Sequence, residues 1–143
     1  MISIFSEILN SSNSIKNGDT GEITITIPNI KVEGEIVVDV SCKITSNCNT
    51  VITCDLFTIF SPSVSITNIT FQSSVLVKSS NDFSISNCKI TNAKLGDGAL
   101  AFKDSINVLI SHVTITEIEK IPGINILNQS SISADNLTIH GLE

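Results

Sequence analysis

The feature that most constrains this chain is a unit of three short apolar alternations that recurs four times between residues 56 and 139. Each unit opens with two positions separated by one residue: Leu56 with Thr58, Val75 with Val77, Leu100 with Phe102, and Ile124 with Ile126. Eight residues after each opening a second alternation begins, at Val64 and Ile66, Phe83 and Ile85, Val108 and Ile110, and Ile132 and Ala134. A polar residue follows at Asn68, Asn87, His112 and Asn136. A third pair closes the unit at once: Ile69 and Phe71, Cys88 and Ile90, Val113 and Ile115, and Leu137 and Ile139.

Three period-2 strands of this length are too short for hairpin-built sheets packed face to face. The segments between units vary: residues 72–74, 91–99 and 116–123. Fixed strands with a variable loop at one corner describe a solenoid, in which a coil buries its apolar row only by stacking on its neighbours. Composition agrees, because Ile, Val, Ser, Thr and Asn dominate and favour strands and turns over helices. With 143 residues and 41% hydrophobic content, one domain with a continuous core is expected.

The recurring polar residue has a structural reason. The chain must bend sharply between the second and third strands, and Asn tolerates the left-handed backbone conformation of such a bend. Asn68, Asn87, His112 and Asn136 are therefore expected to form a structural ladder, with amides bonding from coil to coil. His112 reads as a corner filler in that ladder.

This three-strand coil with an Asn corner resembles the right-handed parallel β-helix of pectate-lyase-like proteins, and most closely that of adhesin-like and polymorphic outer-membrane surface proteins. The resemblance implies an all-β, single-stranded right-handed parallel β-helix of about five to six coils, roughly 25 to 30 Å long. The stretch ISIFSEILNSSNSIKNGDTGEITI is similar to the N-terminal cap of the adhesin-like members. That likeness implies a cap over residues 1–20 made of a strand and a short helix. Ser6 would be its N-cap, Ile8 and Leu9 its buried face, and Asn17-Gly18-Asp19 the turn into the coils. The β-helix proper would then span 21–143, with irregular coils to about residue 55, where Ile23, Ile25, Ile27, Val38, Val40, Cys42 and Ile44 alternate without an aligned Asn corner.

In the polysaccharide-cleaving members the groove runs along the first strand of each coil. Its outward positions here would be Phe57, Leu76, Ala101 and Asn125, with Lys78 and Lys103 at the strand ends. A lyase needs acidic calcium ligands and a basic residue beside the uronic carboxylate, and the chain has no Arg to hold that carboxylate. A glycosidase needs carboxylates within about 5 to 10 Å of each other. Asp97, Asp104, Glu117 and Glu119 are the candidates, although Asp97-Gly98 reads equally well as a turn. Trp and Tyr, the usual sugar platforms, are absent.

The expectation is thus a non-enzymatic structural or binding module, with a minimal or degenerate polysaccharide-active domain as the alternative. No cofactor and no metal site is expected, since the gaps between Cys42, Cys48 and Cys54 exceed those of zinc knuckles. Together with Cys88 these thiols could form disulfides in any pairing, or stay as small buried hydrophobes. A net charge of −6 argues against nucleic acid. MISIFSEILN has no basic leader region, so no signal peptide is expected, and no apolar run is long enough to span a membrane. An extracellular or cell-surface location, with a carbohydrate or cell-surface ligand, is implied by the resemblance alone. Sequons stand at Asn10, Asn68, Asn128 and Asn136, of which the ladder leaves Asn10 and Asn128 as acceptors. The last strand is followed by no obvious cap, so a fragment of a longer helix, an atypical cap, or docking and self-association through the coil end are all open.

Overall fold

The computed structural model describes residues 2–3, 14–17, 22–94, 96–118, 120–128 and 130–141. Alternation of β-branched side chains makes every described element a strand: β1 (Ile2–Ser3), β2 (Ser14–Asn17), β3 (Glu22–Ile25), β4 (Asn29–Lys31), β5 (Glu35–Val38), β6 (Lys43–Ser46) and β7 (Val51–Ile59). There follow β8 (Ser65–Thr67), β9 (Thr70–Lys78), β10 (Ser84–Thr91), β11 (Leu100–Lys103), β12 (Val108–Ile118), β13 (Ile124–Leu127) and β14 (Ile132–Gly141). They stack in parallel as a β-solenoid of about five turns. The capping helix expected around Ser6, Ile8 and Leu9, and the Gly18-Asp19 turn, lie outside the described residues. What is described there is β2 running antiparallel to β3, with Asn17 opposite Glu22, and β1 pairing with β5.

Each coil contributes to three faces. The first-strand face stacks β5, the second half of β7, the second half of β9, β11 and β13. On the second-strand face Ile23, Ile44, Ile66, Ile85, Ile110 and Ala134 form one inward row. On the third, Ile30, Ile52, Phe71, Ile90, Ile115 and Ile139 form another. The step from coil to coil varies from 18 residues (Phe57 to Val75) to 25 (Val75 to Leu100), and the corner loops absorb most of the difference. The interior is apolar, with Phe57 against Phe71 at 4.9 Å between ring centroids and Phe83 against Phe102 at 6.4 Å.

One expected pairing is corrected. The unit spacing places Leu56 and Thr58 inward and Phe57 outward, but Phe57 and Ile59 are fully buried and lie opposite Val75 and Val77. The corner from Ile59 to Val64 is one residue shorter than those from Val77 to Phe83 or Phe102 to Val108. Because side chains alternate with period 2, a one-residue deletion moves every residue of the strand to the other face. A bulge earlier in β7, where Cys54 and Asp55 stand opposite Ser73, absorbs the slip so that the third-strand face keeps its register.

Candidate functional site

The corner between the second and third faces turns through single left-handed residues: Asn68 (φ 63°), Asn87 (51°), His112 (54°) and Asn136 (53°). Asn136 Nδ2 lies 3.0 Å from His112 Nε2, and Ser111 Oγ lies 2.8 Å from Nδ1. This arrangement is served by the Nδ1–H tautomer, whose Nε2 lone pair accepts the amide proton. In the coil before that of Asn68 the corner is wider. Ser46 Oγ accepts from the backbone N–H groups of Cys48 and Thr50, and Thr50 Oγ1 donates to the Ile27 carbonyl.

A second polar stack, not anticipated from the repeat, runs inside the corner between the first and second faces. Ser105 Oγ accepts from the Ser80 N–H at 3.1 Å, Ser130 Oγ accepts from the Ser105 N–H at 3.1 Å, and Ser80 Oγ donates to the Ser61 carbonyl. These hydroxyls let a buried bend satisfy its backbone groups. Its trace in the sequence is the serine three residues ahead of Val64, Phe83 and Val108, at Ser61, Ser80 and Ser105. Outside it, the Asn107 amide donates to Asp82, and both residues adopt positive φ.

The candidate carboxylates are distributed along these corners. Asp104 is a left-handed turn residue (φ 52°) just after β11, and its Oδ2 lies 3.4 Å from the Asn128 amide nitrogen. Asp97 is exposed in the loop before β11, where its carbonyl accepts from Asn125 Nδ2 at 2.9 Å. The two therefore flank β11 from opposite ends. Glu117 (φ 56°) accepts from Thr91 Oγ1 at 2.9 Å, and Glu119 lies outside the described residues. No group of three or more His, Cys, Asp or Glu positioned to hold a metal occurs among the described residues. No helix among them is long and apolar enough to cross a membrane.

The cysteines are free thiols. Cys42, Cys54 and Cys88 are buried and Cys48 is exposed. Burial pushes Cys42 and Cys88 up to about 11 and raises Cys54 as well. A thiol held protonated is a poor nucleophile and a poor metal ligand at neutral pH. A small cavity of about 290 Å³ lies at the β7 bulge, lined by Cys54, Asp55, Ser73, Asn92 and Lys94.

Two surfaces carry features beyond packing. The first is a trough of about 400 Å³ on the first-strand face, lined by Glu35, Val37, Asp39, Thr58, Phe60, Leu76 and Lys78. Of the outward residues expected on that face, Leu76 is in this trough, Ala101 is buried and Asn125 is half-buried. Phe60 escaped the sequence reading because it depends on the shortened corner. The second surface is the coil of β13 and β14, where Ile126 is 51% and Ile139 44% exposed. Among the described residues β13 pairs with β11 alone and β14 with β12 alone. Compared with known proteins, the chain matches no family model, no curated protein sequence and no solved structure.

Proposed function

We propose that the chain is a non-enzymatic structural or binding module, a surface- or adhesin-like β-solenoid that associates through the edge of the coil formed by β13 and β14. The observation that carries this reading is the change in two inward rows, one on the first-strand face and one on the third. Phe102 and Ile115 are fully buried, whereas their register partners in the next coil, Ile126 and Ile139, are about half exposed. An apolar row of this kind, beside a line of strand N–H and C=O groups paired on one side, is a surface that another layer of strand would cover. The resemblance of the repeat to adhesin-like β-helices supports an extracellular or cell-surface location for such a module.

Light scattering coupled to size-exclusion chromatography of the 143-residue chain tests the proposal. Concentration-dependent association is expected, and the double variant Ile126→Asp with Ile139→Asp should abolish it. Because both side chains are already half in water, the variant should keep the wild-type circular dichroism spectrum. A wild-type chain that stays monomeric at all accessible concentrations overturns the reading.

A further inference from the structure

We propose that the trough on the first-strand face is a docking site for a basic segment of a partner protein, which inserts a lysine or arginine side chain against Phe60 and the neighbouring carboxylates. The inference goes beyond association through the last coil and rests on different residues, so either can fail without the other.

The shortened corner at residues 60–63 creates the site. Phe57 and Ile59 turn inward, and the next residue, Phe60, is left outside with half of its surface in water. Among the described residues Phe60 is the aromatic one of the exposed large hydrophobics. Its N–H is bonded to the Val38 carbonyl at 2.8 Å, which holds it beside Asp39, and Lys78 stands over it from the next coil. Glu35 and Val37 project outward from β5 because Ile36 and Val38 point into the core, and the exposed Asp39 follows the strand directly. Val37, Thr58 and Leu76 make the floor, and Thr58 Oγ1 donates to Glu35 Oε1 at 2.7 Å.

This lining suits a cation on an aliphatic stem. Val37 and Leu76 offer apolar surface to methylenes, while the Phe60 ring and the carboxylates receive the charged head. The molecule already displays the chemistry: Lys78 Nζ lies 5.9 Å from the Phe60 ring centroid, within cation–π range. An incoming basic side chain would take over that role and displace Lys78 toward solvent. The chain's net charge of −6, with no Arg, draws basic partners in and repels acidic ones. A peptide adding itself as a further strand is disfavoured here, because β5, β7 and β9 are each paired on both sides. The contact is therefore made by side chains from above.

The test is titration of the full chain with a hexalysine peptide at low ionic strength by calorimetry, with hexaglutamate and a glucosamine hexamer as comparison ligands. Hexalysine should bind and hexaglutamate should not. Phe60→Ala should weaken hexalysine binding roughly fivefold or more. Lys78→Met keeps the stem and removes the competing cation, and should tighten binding about twofold. Glu35→Gln should weaken it, whereas Glu33→Gln, an equal change of charge at an exposed residue outside the trough, should leave it nearly unchanged. The proposal is overturned if hexalysine does not bind, if Phe60→Ala has no effect, or if Glu33→Gln is as damaging as Glu35→Gln, since the attraction would then be diffuse charge. Tighter binding of the glucosamine hexamer than of hexalysine also overturns it, by making the trough a saccharide site.

Discussion

The coil carrying β11 and the first half of β12 and the coil carrying β13 and β14 have nearly the same sequence pattern and quite different physics. Leu100, Phe102, Val108 and Ile110 are at most 2% exposed, while Ile124, Ile126, Ile132 and Ala134 are half-buried or exposed. Nothing in the local alternation distinguishes the two sets. What differs is whether a coil lies on both sides or on one. In a solenoid, burial belongs to the interface between repeats, so a residue's energetic weight is set by its neighbours and only its direction by its own strand.

This contrast can be broken most directly with a matched pair of substitutions. Phe102→Ala removes a fully buried ring that packs against Phe83, and should cost about 3 to 5 kcal/mol in chemical denaturation. Ile126→Ala, at the register position directly above, should cost less than about 1 kcal/mol when the chain is dilute and monomeric. If Ile126→Ala proves as damaging as Phe102→Ala, the last coil is covered and the contrast disappears. If its cost grows with protein concentration, self-association is what covers it.

A smaller effect separates the two polar stacks. Ser105→Ala deletes the acceptor for the Ser80 N–H inside a buried corner and should lower stability by about 1 to 3 kcal/mol. Asn136→Ala deletes an exposed contact to His112 and leaves alanine at positive φ, so it should cost about 1 to 2 kcal/mol, nearly all of it backbone strain. Asn136→Gly should recover most of that loss, whereas Ser105→Gly should recover none. A full recovery by Ser105→Gly would show that the inner stack acts through backbone freedom and not through its hydroxyls.

The smallest effect is silent at neutral pH. Cys42 and Cys88 hold their protons to about 11 in the folded chain against 9.0 ordinarily, so the folded state binds protons more tightly than the unfolded one. The contribution of these thiols to stability is full below pH 9 and is lost as the pH rises toward 11. A melting temperature flat between pH 7 and about 8.5 and falling above 9 is expected, and the double variant Cys42→Ala with Cys88→Ala should flatten that fall. Native-state labelling should modify Cys48 alone, because the other thiols are buried. Rapid labelling of Cys88 would show that the interior coils open as freely as the last one.

Much of the fold was legible because a stacked coil writes its register into the chain. The pairs from Val75 onward and the corner residues Asn87, His112 and Asn136 could be aligned by spacing alone, since each strand contributes one inward row and each bend needs a left-handed residue. The opening pair at residues 56–59 could not. Fixed spacing pointed to Leu56 and Thr58, and the one-residue deletion in the following corner put Phe57 and Ile59 inside. The trough was illegible for the same reason, because Phe60 becomes an exposed ring only once that slip is known. The carboxylates were legible as residues and not as an arrangement. Asp97 and Asp104 are near in sequence, yet a four-residue strand holds them at opposite ends.

That the chain coils, and where most strands point inward, follows from the residues alone, because period-2 alternation and left-handed corner residues are local properties of the backbone. Which coil buries its row, and which ring is left in water, is settled by how the coils stack. Burial depends on stacking across 18 to 25 residues of chain, and a single deletion at a corner reverses the sides of a strand without changing a residue within it.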